Sequence, residues 1–295
     1  MVSEILLVTC AALPDGEPEG RLLLDALAER GVRARWVAWD DPEVDWTDAD
    51  LVAVRATWDY DARLAEFLAW SQRIEAAGAR VLNGHRVFAW NTDKAYLTAL
   101  ADAGVAVVPT IVVDGEEALP AAIAEFGRAV VKPRTAAGGR GVVVFDLVAG
   151  GPTDLDESRL DMGPWVVQPL VESIHTEGEW SVYVLGGAAV SAARKLPADG
   201  DIRVHEEYGG RTSAAEVTVG HGDLALAAVD AAQELLDCRI PYARVDQMRL
   251  ADGSLAVSEL EVTEPGLYLD HLPGNAEAFA DPVVAELRGG VSQGG

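Results

Sequence analysis

The stretch VVKPRTAAGGRGVVVF, residues 130–145, joins two β-branched runs through a loop of small residues. Each run reads as a strand. Gly138, Gly139 and Gly141 let backbone N–H groups approach an anion closely, and Lys132 adds a point charge beside them. The chain has only three lysines, Lys94, Lys132 and Lys195. In so lysine-poor a sequence, a lysine at this place is not incidental surface charge. No G-K-[ST] follows the glycines and the G-x-G-x-x-G spacing is not met, so the loop is neither a Walker loop nor a dinucleotide fingerprint.

Upstream, strand and helix signals alternate. Residues 4–10 (EILLVTC) read as a buried strand and 22–31 as a helix ended by glycine. RARWVAW and DLVAVRA follow as strands, then an amphipathic helix over 61–78. Such alternation implies a parallel α/β sheet. Residues 91–104 (NTDKAYLTALADAG) read as a helix whose start carries the N-cap types Asn91 and Asp93. VVPTIVV, a short helix near 118–126 and the two strands around the glycine loop form a smaller α+β unit. From residue 163 the signals become antiparallel: WVVQPLV, EWSVYVLGGAAVSAARKL with its Gly186-Gly187 turn, and ARVDQMRLADGSLAVSELEV. The expected division is an N-terminal α/β domain over 1–86, a central α+β domain over 87–163 and a C-terminal antiparallel domain over 164–295. The glycine-rich end, 289–295, reads as frayed.

The composition is that of a globular protein: 295 residues, 49% hydrophobic, mean hydropathy +0.11. A net charge of −25 argues against nucleic-acid and anionic-membrane partners, which need basic surface. A phosphate ligand would need a local cationic pocket or a divalent metal. Cys10 and Cys238 lie in apolar segments and read as buried free thiols. With no basic n-region and no apolar run of transmembrane length, the chain reads as cytoplasmic. A homodimer is the commonest oligomer for such a protein.

The segment 244–262 places charged groups by register. Asp252-Gly253 favours a two-residue turn, which pairs Ala251 with Ser254, Asp246 with Glu259 and Arg244 with Glu261. These four side chains then share one face, continued toward the turn by Met248 and Leu250 against Val257 and Leu255. Opposed acids repel unless a cation sits among them. Arg244 balances one charge, and a hard divalent cation suits the rest. A surface strand pair with scattered charge is the alternative.

Lys94, Lys132 with its glycine loop, and the Asp246/Glu259/Glu261 hairpin occur in an order that resembles the ATP-grasp superfamily over essentially the whole chain. The three-part layout also resembles glutathione synthetase and the D-alanine–D-alanine ligases. The resemblance implies a three-domain ATP-grasp fold, with ATP held between the central and C-terminal domains. It implies a carboxylate converted to an acyl phosphate and then attacked by an amine. Lys94, Lys132 and Lys195 would face phosphates, with the loop from Thr135 through Gly138, Gly139 and Gly141 closing over them. Gln168-Pro169-Leu170-Val171 would be the hinge whose backbone reads adenine, and Glu179 the ribose acid. Arg203, ahead of Gly209-Gly210, and Arg244 would be catalytic, Arg244 at the oxyanion. Asp246, Glu259 and Glu261 would hold magnesium, although the family usually has Asn where Glu261 stands.

The substrate expected from the resemblance is a small amino-acid derivative. The segments LVTCAALPDGEPEG, RATWDY, LNGHRVFAWNTDK and ESIHTEGEWSVYVLGG resemble a bacterial subgroup that includes the D-cycloserine synthetases, which cyclise O-ureido-D-serine. An intermolecular carboxylate–amine ligase and an inactive nucleotide-binding regulator are the alternatives. Residues 55–60 follow a strand's carboxyl end, where an α/β domain offers ligand groups; their aromatics fit a core equally well.

Overall fold

In a computed structural model, which describes residues 2–147 and 163–289, the chain forms three sheets. The first is parallel: β1 (Glu4–Thr9) lies between β2 (Arg33–Ala38) and β3 (Leu51–Ala56). The central strand β1 and its neighbour β3 are apolar on both faces apart from their ends and Arg55, because both faces are covered, whereas the edge strand β2 exposes Arg33 and Arg35. Ile5, Leu7, Leu51 and Ala53 pack toward α1 (Arg21–Glu29), whereas Leu6, Val8, Val52 and Val54 pack toward α2 (Leu64–Ala76). The expectation of a helix over 91–104 is corrected. The helix α3 (Gly84–Asn91) ends at Asn91, and α4 (Tyr96–Asp102) starts after a turn. Asp93, not Asn91, accepts from the Ala95 N–H at 3.0 Å.

The middle sheet has the order β4-β7-β5-β6, from β4 (Ile111–Val113), β5 (Arg128–Pro133), β6 (Val143–Asp146) and β7 (Trp165–Pro169). It is covered by α5 (Leu119–Phe126), with Leu119, Ala122 and Ile123 in its core. The strand β7 pairs with β4 and β5, so the 163/164 division falls just ahead of a strand of this sheet.

The third sheet is antiparallel, in the order β10-β9-β8-β11-β12. Its strands are β8 (Glu179–Leu185), β9 (Ala188–Leu196), β10 (Arg211–Ala215), β11 (Tyr242–Arg249) and β12 (Leu255–Glu261). Val182, Val184, Val245 and Val257 pack against the long helix α6 (Val219–Leu236). On the opposite face, Tyr183, Leu185 and Tyr242 join the core of the first sheet. That core is closed by α7 (Gly274–Gly289), which brings Phe279, Val283 and Leu287 onto Ile5 and Leu7. Cys10 is buried as expected and Cys238 only half-buried. The end beyond Gly289 lies outside the described residues. Among the described residues no helix is long and apolar enough to cross a membrane.

Candidate active site

A cavity of about 650 Å³ opens where the three sheets meet. Cys10 and Trp58, just past the carboxyl ends of β1 and β3, line one side of it, and Val130, Lys132 and Gln168 of the middle sheet line another. The antiparallel sheet contributes Glu179, Lys195, Arg244, Asp246, Glu259 and Glu261. Leu170, Val171, Lys94, Gly138, Gly139 and Arg203 complete the lining among the candidate residues. Thr135 and Gly141 are outside that lining. Gly141, at φ +69°, instead covers Pro133, whose Cγ leaves no room for a Cβ.

The hairpin β11–β12 pairs Arg244 with Glu261 and Asp246 with Glu259, as expected, but by a different route. The tip is a three-residue loop: the Leu250 N–H donates to Ser254 O at 2.8 Å, and the Gly253 N–H to Leu250 O at 3.0 Å. Gly253 adopts φ +88°, and Asp252 Oδ1 accepts from the Ser254 N–H (2.9 Å) and hydroxyl (2.6 Å). That Asx geometry favours the loop with a left-handed glycine over the two-residue turn. The register is thereby one residue out until a bulge at Ser258 restores it before the acids. Val257 consequently faces α6 rather than Met248. Ser258 turns its hydroxyl to Glu179 Oε2 at 3.0 Å.

Charge in the site is closely matched. The Asp246 carboxylate accepts from Ser181 Oγ at 2.5 Å, Arg244 Nε at 3.0 Å and Arg244 Nη2 at 2.9 Å, and lies 3.2 Å from Lys195 Nζ. Against the penalty of burial, Arg244 and Lys195 hold it well below the usual carboxylate range. Lys195 also reaches Glu179 at 2.7 Å. Burial opposes its charge, but Asp246 and Glu179 raise its ammonium above the usual lysine range. Glu259 lies 3.1 Å from Lys94 Nζ, and Arg244 also pairs with Glu261. Burial still pushes Glu261 up to about 7. Lys132 contrasts with these: no carboxylate is within ion-pair distance among the described residues, and burial pushes its ammonium down.

The glycine loop is tied at its base and its tip. The Lys94 N–H donates to Arg134 O at 2.8 Å, and Lys94 Nζ to Ala136 O at 2.6 Å. Arg140 Nη2 lies 2.5 Å from Asp61 Oδ2 in the turn after β3. Arg203 packs over Tyr208 at 3.7 Å and pairs with Asp201 at 2.6 Å. A Cβ at Gly139 would meet the Arg203 chain at 3.6 Å. In the hinge, Gln168 Nε2 donates to Thr110 Oγ1 at 2.9 Å and the Leu170 N–H to Arg128 O at 2.9 Å. The Val171 N–H meets no protein acceptor among the described residues.

One carboxylate oxygen from each of Asp246, Glu259 and Glu261 lies within 4.8 Å of the others. Three hard oxygen donors at that span fit a magnesium-sized cation.

Sequence reading left out the Arg55–Glu17 pair. Both side chains are buried, with Arg55 Nη2 at 2.9 Å from Glu17 Oε1 and at 2.6 Å from Pro265 O. Glu17 Oε2 accepts from the Leu267 N–H at 2.8 Å. Glu17 and Glu264 both line the cavity. An arginine inside an otherwise apolar strand was the available signal.

Residues 5–83 match the family described as the N-terminal domain of D-cycloserine synthetase DcsG, and residues 94–236 the ATP-grasp domain of prokaryotic glutathione synthetase. The chain is 33% identical to the cycloserine biosynthesis protein DcsG of Streptomyces lavendulae over 280 residues, 90% of this chain and 93% of that protein. The crystal structure of D-cycloserine synthetase DcsG superposes with a TM-score of 0.85 at 32% identity, covering 97% of this chain and all of that one. The ATP-grasp ligase PsnB, solved with a precursor variant, Mg and ADP, superposes at 0.67 and 20% identity over 97% and 99% of the two chains; it shares the fold. The chain therefore belongs to the ATP-grasp ligases, enzymes that form C–N bonds, within the D-cycloserine synthetase family.

Proposed function

We propose that this enzyme activates the carboxylate of O-ureido-D-serine with ATP and closes it to D-cycloserine. The observation that supports this most is the single cavity joining all three lysines, Arg244 and the carboxylate trio to residues of the N-terminal sheet. The identity to DcsG extends across both parts of the chain.

ATP-grasp ligases use ATP with Mg2+ in general. Here ATP would lie with adenine along the Gln168–Val171 backbone, the free Val171 N–H facing its edge, and Glu179 toward the ribose. Lys132, without an ion-pair partner among the described residues, supplies an unmet attraction for a phosphate. Lys94 and Lys195 flank it, and the loop carrying Gly138 and Gly139 covers the transferring group. Asp246, Glu259 and Glu261 would hold magnesium, which neutralises phosphate charge. The substrate carboxylate takes the γ-phosphoryl group, giving an acyl phosphate and ADP. The O-linked ureido nitrogen of the same molecule then attacks the acyl carbon, with Arg244 beside the developing oxyanion, and phosphate leaves; the ring nitrogen still carries the carbamoyl group, which water removes as carbon dioxide and ammonia to give D-cycloserine. Intramolecular attack replaces the binding of a second substrate by proximity.

The test incubates purified protein with ATP, magnesium and O-ureido-D-serine. ADP release accompanied by D-cycloserine, identified by mass spectrometry, is expected. ADP release without the cyclised product would refute cyclisation, and ADP release that requires an added amine would point to an intermolecular ligase.

A further inference from the structure

Glu264 differs from the other acids of the cavity. Its neighbours are compensated: Glu17 by Arg55, Asp59 by Arg63, Glu179 by Lys195, Asp246 by Lys195 and Arg244, Glu259 by Lys94 and Glu261 by Arg244. These are the other buried or half-buried carboxylates of the lining. Glu264 is only 7% exposed and lines the same cavity, yet among the described residues no basic side chain pairs with it. An ionised carboxylate buried without a partner is strongly unfavourable. In keeping with this, burial, with Glu261 next in effect, pushes its acid up to about 8.

The carboxyl is held in place. Tyr60 lines the cavity with it. Trp58 Nε1 donates to the Glu264 main-chain O at 3.2 Å, Arg55 to Pro265 O at 2.6 Å and Tyr183 Oη to Gly266 O at 2.9 Å. The Leu267 N–H is fixed by Glu17. The segment 264–267 is thus anchored at four consecutive residues, and a rigid acid faces the cavity beside the rings of Trp58 and Tyr60. Aromatic faces and a lone carboxylate together suit an organic ammonium.

We propose that Glu264 binds the α-ammonium group of the amino-acid substrate, which becomes its missing ion partner, and so selects amino acids over plain carboxylic acids. This rests on the function proposed above. Arg55 with Glu17 positions the segment that carries the carboxyl.

The test compares O-ureido-D-serine with 3-(ureidooxy)propanoate, the same molecule without the ammonium group, in steady-state ADP release by wild type and Glu264→Gln. Wild type is expected to favour the amino acid by about 100-fold in kcat/KM. In the variant that preference falls about 10- to 100-fold, through KM for the amino acid, while KM for ATP is unchanged. Glu264→Asp, which keeps the charge, restores part of the preference. A Glu264→Gln enzyme that keeps the wild-type preference, or that loses both substrates equally, overturns the role of Glu264 and leaves the ligase reading standing. A wild type that releases ADP with both substrates equally does the same. A wild type that releases no ADP with either overturns the ligase reading, and Glu264's role with it.

Discussion

Two lysines of the cavity, Lys195 buried and Lys132 half-buried, meet opposite surroundings. On the antiparallel sheet, Lys195 sits between Glu179 and Asp246, and its charge is satisfied by the protein. On the middle sheet, Lys132, next to the end of its strand, has no carboxylate within ion-pair distance among the described residues, and burial works against its charge. The difference separates stability from binding. A buried cation with two carboxylates belongs to the framework, because removing it strips Glu179 of its ion partner and leaves Asp246 to Arg244 alone. A half-buried cation with none is held at a cost that only an incoming anion offsets.

The largest effect expected is on turnover. Lys132→Ala should lower ADP release about 10³-fold with no loss of thermal stability, and Glu259→Gln should do likewise. Wild-type activity in either would break the assignment of the site. Lys195→Met should instead destabilise the fold by about 3 kcal/mol, read from urea unfolding, since Glu179 is left buried without an ion partner and Asp246 keeps only Arg244. A stable Lys195→Met protein would erase the contrast between the two lysines.

Glu264 gives a pH signature. Its folded value of about 8 lies above the ordinary 4.5 of a glutamate, so between these values the folded chain keeps a proton that the unfolded chain releases. Stability of the ligand-free protein therefore falls as pH rises from 5 to 8. Glu264→Gln should remove about 1 kcal/mol per pH unit of that fall. An unchanged slope in the variant would show that the acid is compensated after all. The smallest effect expected is at the loop tip. Asp61→Asn breaks a half-exposed pair with Arg140 and should raise KM for ATP about 2- to 3-fold with kcat little changed, as steady-state kinetics would show.

Much of this was legible in the sequence, for physical reasons that vary by element. The parallel sheet announced itself through strands such as EILLVT, apolar on both faces. The pairing of Asp246 with Glu259 followed from counting along the hairpin, yet the count succeeded because two one-residue departures cancel. A turn residue's side-chain hydrogen bond and a bulge are local choices that alternation of apolar residues does not encode. Asn91 has the composition of a helix start, but its amide is used across space: Nδ2 donates to Leu260 O at 2.7 Å, and Oδ1 accepts from the Val262 N–H at 3.0 Å. Glu264 was overlooked because isolation is a property of surroundings. Nothing in TEPG encodes that no basic side chain among the described residues forms an ion pair with its acid.

The last helix of the chain covers the first strand. With Phe279, Val283 and Leu287 set against Ile5 and Leu7, and Arg30 tied to Glu277 at 2.6 Å and Asp281 at 2.7 Å, the sheet made earliest in synthesis stays partly open on one face until residues 274–289 arrive. Contacts spanning some 250 residues impose a long wait on folding. Residues near the start of the first sheet therefore gain part of their cover only from a helix more than 230 residues downstream, and α1 alone shields that face until it docks.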